Sequence, residues 1–302
     1  MHKRPTISVI IPAYNGGRYI ASAIASALQQ DYPPAEVIVV NDGSTDETEA
    51  RLSDFGDAIT VVHQSNRGPA AARNRGVRHA SGEFVSFLDA DDVWLPGKLS
   101  KQVEKLHRGD FGLVHCGLRY VDEHGVTLFD EVSGEEGWVA ITMLRFRGRP
   151  VLQGLGSTAL LRRRDYLDIG GMDESLRVAE DWDFGYRFAS RYRVGFVGEP
   201  LVLYRQHAAS SHKSKVCLQE ESLRRVFARA FAESGPELQP IKREAYGNLY
   251  MGLAISDYCN ARYGRSAVNL ARSLWNRPSL MRRPLRFARR YLSGHTAGVK
   301  HA

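Results

Sequence analysis

The sequence predicts an α/β fold on a doubly wound, mostly parallel sheet, followed by a helical C-terminal appendage. Three observations lead there. Short apolar runs recur at Ile7 to Ile11, Glu36 to Val40, Ile59 to Val62 and Phe84 to Leu88. Helix-compatible stretches separate them in units of roughly 25 to 30 residues, as parallel strands joined by right-handed crossovers require. Each run ends in polar residues, so the strands present their chemistry along one edge, where open α/β sheets bind ligands.

The elements follow in order. Ile7-Ser8-Val9-Ile10-Ile11 reads as a buried strand; Gly16-Gly17 then opens a helix from Tyr19 to Gln30 that Pro33-Pro34 ends. After the second strand, Asn41-Asp42-Gly43-Ser44-Thr45-Asp46 is a turn in which Thr45 or Asp46 caps a helix starting near Glu47. Pro69 occupies the first turn of a helix running from Ala70 to Ala80. The fourth strand delivers Asp89-Ala90-Asp91-Asp92. Further on, Leu113 to Val121 reads as a strand, Trp138 to Phe146 as a helix, and Ser157 to Arg162 as a strand after the Gly154-Leu155-Gly156 turn. A helix carrying Phe184, Phe188 and Tyr192 begins at Glu180-Asp181-Trp182-Asp183, where the macrodipole favours acids, so at least one of these carboxylates is expected to be structural. Composition shifts near Ser214 to helical, arginine-rich sequence. The expected division is therefore 1–214 and 215–302.

Composition narrows the function classes. With 302 residues, 43% hydrophobic and 25% charged, the chain can bury a full core. Cys116, Cys217 and Cys259 are odd in number and scattered, which fits neither a disulfide framework nor a zinc knuckle and points to a reducing cytoplasm. The run Ile7 to Ile11 is too short for a signal h-region and is closed by Pro12, and no run is long enough to span a membrane. Ten Lys and Arg and no Asp or Glu lie between Cys259 and Ala302, so of the net +7 this segment supplies +10 and the rest −3. A basic terminal segment on an acidic body is not the footprint of a nucleic-acid-binding module.

The acid run Asp89 to Asp92 is the sharpest chemical signal. Three carboxylates at the end of an apolar strand are hard ligands for a divalent cation, Mg²⁺ or Mn²⁺; the competing reading is that Asp91 or Asp92 caps the helix opening at Pro96-Gly97-Lys98. Beside it on the same edge fall Pro12-Ala13-Tyr14-Asn15, Asn41-Asp42-Gly43-Ser44 and Arg73-Asn74. An aromatic face, a carboxylate able to accept a base N–H, a guanidinium and cation-binding acids together suit a nucleoside diphosphate held through metal. No Gly-x-Gly-x-x-Gly follows the first strand and no P-loop motif occurs, which removes the main support for dinucleotide dehydrogenases and P-loop NTPases.

These motifs, in this order, resemble the inverting family 2 glycosyltransferases of the GT-A fold. The resemblance runs through Gly68-Pro69-Ala70-Ala71-Ala72-Arg73-Asn74, Gly170-Gly171-Met172-Asp173-Glu174, Glu180-Asp181-Trp182-Asp183 and Tyr204-Arg205-Gln206-His207, covering roughly the first 210 residues. It implies a nucleotide-sugar donor, UDP-linked, held by Pro12, Tyr14, Asp42 and Arg73, with Asp42 pairing with the base, Tyr14 packing on it and Asp89 near the ribose. It also implies Asp91, then Asp92, as metal ligands, His207 as a further candidate ligand, and Asp181, with Glu180 as alternative, as the base that takes the acceptor hydroxyl's proton. Asn41 stands where the family often has Asp, leaving the base-binding carboxylate intact. Trp182 is a candidate for stacking on a sugar ring. The acceptor would be a glycan or a lipid-linked glycan, as in bacterial surface polysaccharide assembly. Competing classes are a sugar-nucleotide pyrophosphorylase, whose Gly-rich basic loop after the first strand is missing, and an inactive carbohydrate-binding relative.

A helical projection from Pro284 sets Leu285, Ala288, Tyr291 and Leu292 against Arg286, Arg289 and Arg290. Such a segment either packs on the body with a solvated arginine face or lies on an anionic membrane, which would make a cytoplasmic enzyme peripheral at the inner face.

Overall fold

The structure, a computed structural model, describes residues 4–147, 151–176, 178–207, 216–233 and 235–282. It divides into two compact units, residues 1–139 with 152–207, and residues 140–151 with 208–302. The boundary expected at residue 214 and the segment from Pro284 lie outside the described residues.

The first unit is a nine-stranded sheet with flanking helices. Strands β1 (Ile7–Ala13), β2 (Glu36–Asn41), β3 (Thr60–His63) and β4 (Phe84–Phe87) pair in parallel in the order β3-β2-β1-β4. Helices α1 (Ile20–Leu28), α2 (Thr48–Ser53) and α3 (Pro69–His79) connect them. β1 and β4 are covered on both faces, which is why they read as near-continuous apolar runs, whereas β3 lies at the edge and leaves Thr60 and His63 exposed. The N-cap of α2 is Glu47, with no side-chain cap, so neither Thr45 nor Asp46 is the cap; Asp46 Oδ1, one residue earlier, accepts the Thr48 N–H at 3.0 Å. Gly76 lets α3 lie close on β1: a Cβ there would meet Ile10 Cγ2 at 2.3 Å.

Beyond β4 the sheet is mixed. The remaining members are β5 (Val93–Trp94), β6 (Leu113–Val121), β7 (Thr127–Glu131), β8 (Leu160–Arg162) and β9 (Val194–Arg205). β8 runs antiparallel between β4 and β6, and β9 pairs with β6 in parallel and with β5 antiparallel. Helix α4 (Lys98–Arg108) precedes β6. Its N-cap is Gly97, so neither Asp91 nor Asp92 caps it.

The second unit holds α5 (Ala140–Arg145), α9 (Val216–Glu233), α10 (Gln239–Cys259) and α11 (Tyr263–Asn276). Phe227, Phe231, Tyr246 and Tyr250 form its aromatic interior, and Asn248 donates to the Arg145 carbonyl at 2.6 Å. The first unit's remaining helices are α6 (Leu155–Thr158), α7 (Arg163–Asp168) and α8 (Glu180–Ala189). The strand expected from Ser157 therefore begins only at Leu160, because a one-turn helix occupies Leu155–Thr158. Among the described residues no helix is long and apolar enough to cross a membrane.

Candidate active site

The parallel strands end together, and four of the expected clusters meet at that edge. After β1 the chain turns at Asn15, a residue type that tolerates its φ of 51°. Asn15 Oδ1 accepts the Thr45 N–H at 2.8 Å, tying the first two loops together. Pro12 is half-buried, while Tyr14 is 53% exposed. Asp42 is buried, and its carboxylate organises the loop after β3: it accepts from Gln64 Nε2, Arg67 N and Gly68 N, each at 2.8 Å. A carboxylate has about four lone-pair sites, so room remains for one N–H from a base.

Arg73, on α3, is buried between two acidic groups. Its Nη2 donates to Asp89 Oδ1, and its Nη1 lies 3.5 Å from Glu180 Oε1. Burial works against the charge, but Asp89 and Glu180 outweigh it and hold the guanidinium above its ordinary pKa. Gly156 abuts this pair, since a Cβ there would meet Arg73 Nη2 at 2.6 Å and Asp89 Oδ2 at 2.7 Å.

The acid turn divides its labour. Asp91 Oδ2 lies 2.9 Å from His207 Nε2, just past the end of β9, and Tyr19 packs on the imidazole with ring centroids 5.3 Å apart. Burial and then Asp89 push the Asp91 carboxyl above the usual carboxylate range. Asp92 is engaged by the protein on both oxygens, accepting from Ser157 Oγ at 2.6 Å and from Arg205 N at 3.0 Å. It clasps the ends of β4, α6 and β9, whereas Asp91 and His207 face each other with donor atoms of the kind a divalent cation takes. The donor set fits: on top of burial, Asp89 raises the Asp91 carboxyl, and Asp91 with Asp89 raises that of Asp92, a repulsion that a cation would relieve. Among the described residues no group of three or more His, Cys, Asp or Glu side chains forms a metal cage. A cation here would draw further ligands from phosphate oxygens and water, as Mg²⁺ and Mn²⁺ do in nucleotide sites.

Across Arg73 lies the second acidic group. Ala179 precedes α8 at φ 62°, a strained conformation for a residue with a Cβ, and so turns Glu180 and Asp181 into the first helical turn. Asp183 is the structural member of the trio: it is buried and pairs with Arg187 Nε at 2.8 Å, while Arg187 also donates to the Ile169 and Gly171 carbonyls. Burial and Asp181 push the Glu180 carboxyl up despite Arg73. Asn74 anchors the preceding loop by donating to Met172 O and Glu174 and accepting from Met172 N. Trp182 stacks on Tyr186 at 6.0 Å with an interplanar angle of 13°, and it remains half-buried beside the acids.

Several contributors were not singled out in the sequence. Gly156, Ser157 and Arg205 shape the site directly, and Lys98 with Gln102 lies beneath it. The Gly154-Leu155-Gly156 turn marks the position of the first two, but only the fold shows that they touch the acids.

Residues 8–170 match the family model "Glycosyl transferase family 2". A protein of Rickettsia prowazekii described as an uncharacterized glycosyltransferase is 35% identical over 225 residues, covering 72% of this chain and 69% of its own. The UDP-Glc:alpha-D-GlcNAc-diphosphoundecaprenol beta-1,3-glucosyltransferase WfgD of Escherichia coli is 30% identical over 122 residues, 40% of this chain and 48% of its own. Among solved structures, the mannosyltransferase PcManGT from Pyrobaculum calidifontis in complex with GDP-Man and Mn²⁺ superposes with a TM-score of 0.64 at 23% identity, covering 99% of this chain and 82% of its own. S. aureus TarS 1-349 in complex with UDP-GlcNAc gives a TM-score of 0.58 at 19% identity, with 96% and 92% covered. At these identities the likeness is one of fold, the GT-A fold.

Proposed function

The chain belongs to glycosyl transferase family 2, and on that premise we propose that it is an inverting, metal-dependent enzyme moving a sugar from a UDP-sugar to a hydroxyl of a glycan or lipid-linked acceptor in bacterial surface polysaccharide assembly. Arg73 is the observation that carries the reading: one buried guanidinium reaches the acid turn through Asp89 and the second acidic group through Glu180. The protein thereby sets two acidic sites side by side with different surroundings, as an in-line displacement needs.

Tyr14 and Pro12 pack on the base, Asp42 accepts its N–H, and Asp89 faces the ribose with Arg73 fixing its carboxylate. Asp91 and His207, with the acid turn around them, would hold the divalent cation. When bound, that cation offsets charge on the departing diphosphate. At the other side of the sugar, Asp181 takes the proton of the attacking hydroxyl. Glu180 is committed to Arg73 and positions the acceptor beside it. Trp182 offers a face to the acceptor sugar. The UDP preference draws on the donors named for the glucosyltransferase of Escherichia coli and for TarS, while PcManGT binds GDP-Man. Contact with an anionic membrane, through the arginine-rich segment after Pro284, would bring a lipid-linked acceptor within reach.

Calorimetry with UDP in the presence and absence of Mn²⁺ tests the donor and metal together. The expected result is binding that Mn²⁺ strengthens and that Asp91→Asn makes metal-independent. Absent binding, or wild-type binding indifferent to metal, overturns the proposal.

A further inference from the structure

Lys98, at the first turn of α4, is fully buried at 0% exposure, and among the described residues no carboxylate pairs with it. Its ammonium instead donates to Gln102 Oε1 at 2.8 Å and Ser86 Oγ at 3.2 Å, and sits 3.9 Å from the centroid of the Trp94 ring. Desolvation drives its pKa down to about 7, so this arrangement is costly, and a methionine of similar length would be cheaper to bury. What methionine cannot do is donate to two side chains at once.

Each of the three side chains that Lys98 touches holds one of three consecutive backbone carbonyls. Trp94 Nε1 donates to Ser157 O at 2.8 Å, Gln102 Nε2 to Thr158 O at 2.7 Å, and Ser86 Oγ to Ala159 O at 2.7 Å. The segment so held presents Ser157, whose hydroxyl accepts the Asp89 N–H at 3.0 Å and donates to Asp92 Oδ2 at 2.6 Å. The same segment places Gly156 against the Arg73–Asp89 pair.

We infer that Lys98 is a positioning residue for the donor site: as the hub of Ser86, Trp94 and Gln102 it fixes the backbone of 157–159, and through Ser157 it sets the Asp89 to Asp92 turn. Its lever is orientation. Gln102 donates to Thr158 O and to Val114 O from one amide nitrogen, an orientation that turns its Oε1 to Lys98, which donates to it and disfavours the flipped amide. The consequence for donor affinity rests on the function proposed above; the consequence for the backbone does not.

The test uses the full chain with Lys98→Met and Ser157→Ala, read by UDP–Mn²⁺ calorimetry and by amide hydrogen exchange without ligand. Lys98→Met is expected to weaken UDP–Mn²⁺ binding about tenfold and to speed exchange at the Asp89 amide and across 155–159. The double variant should bind no worse than Ser157→Ala alone, because both act through one hydroxyl. Phe227→Leu, in the helical unit, should lower the melting temperature and move neither readout. Wild-type exchange at Asp89 in Lys98→Met, or additive losses in the double variant, overturns the inference. Should Lys98→Met fail to fold, Gln102→Met decides the same point, with unchanged exchange at Asp89 counting against it. A wild-type chain that binds no UDP would sink the donor reading, while the exchange measurement still judges Lys98.

Discussion

Replacing Gly156 with alanine tests the donor site at its tightest point. The substitution adds one methyl carbon, and that carbon would lie 2.6 Å from Arg73 Nη2 and 2.7 Å from Asp89 Oδ2, where ordinary contact begins at 3.4 Å. Arg73 and Asp89 must move aside by most of an ångström or part. Hydrogen bonds to charged groups contribute about 1.5–3 kcal/mol, so weakening this one lowers affinity for a ligand that needs both groups in place by about ten- to a hundredfold. The backbone raises no objection, because Gly156 lies in the short helix Leu155–Thr158 outside the left-handed region, and alanine favours a helix by up to about 1 kcal/mol. Calorimetry with UDP and Mn²⁺ should therefore show a large rise in Kd, while the melting temperature stays within a few degrees of wild type. An unchanged Kd would refute the reasoning, since it would mean that the Arg73–Asp89 pair does not shape the donor site.

Asp181→Asn should abolish transfer, by 10² or more as removal of a general base does, while UDP binding stays nearly intact; loss of binding as well would move Asp181 into the donor site. Glu180→Gln should leave more residual transfer than Asp181→Asn. Because Lys98 has a folded pKa of about 7 against an ordinary 10.5, the unfolded chain binds its proton between those values and the folded chain does not. Wild-type stability relative to Lys98→Met should then rise with pH from 7 toward 9.5, by at most about 1.4 kcal/mol per pH unit, and flatten below 7; parallel denaturation profiles for the two proteins would contradict this. Reversing Arg286, Arg289 and Arg290 to glutamate in the full chain should abolish flotation with vesicles rich in anionic lipid, since each basic residue contributes about 1 kcal/mol at such a surface, and equal flotation would remove that segment as an anchor.

The parallel half was legible because its strands are covered on both faces. Ile7 to Ile11 and Glu36 to Val40 could be nothing but buried strands, and the polar residues after them fall where the edge places them. The mixed half was harder for a physical reason. Ser157 to Arg162 reads as one strand after the Gly154-Leu155-Gly156 turn, yet Trp94, Gln102 and Ser86 take the carbonyls of Ser157, Thr158 and Ala159, and a helical turn precedes β8. Residues 140–151 join the helical unit through tertiary contacts with no composition signal in the chain. At the site, sequence pattern could place Asp89, Asp91 and Asp92 together but not show which of them the protein itself engages on both oxygens. That difference depends on Ser157 and Arg205, one about 65 and the other about 113 residues away, and so on the fold alone. Nothing in the sequence marked Lys98 and Gln102 as buried, because lysine and glutamine rarely are.

Arg73 decides how the two acidic sites can work as neighbours. A displacement that expels a diphosphate on one side and deprotonates a hydroxyl on the other needs positive charge at the first and an ionised carboxylate at the second. Asp89, Asp91, Asp92, Glu180 and Asp181 crowd five carboxylates around Arg73, and burial with the neighbouring acids pushes Asp91, Asp92 and Glu180 up. The Arg73 fork compensates part of this on each side, through Nη2 at Asp89 and Nη1 at Glu180. A lysine would carry the same charge on a single nitrogen with no fixed fork, and could satisfy one side only at the other's expense. On the proposed function, a divalent cation at Asp91 and His207 would supply the positive charge that the acid turn lacks. On that function the sites would be coupled through charge: a cation at the acid turn would remove negative potential from around Arg73, strengthen its hold on Glu180 and draw the Glu180 pKa down.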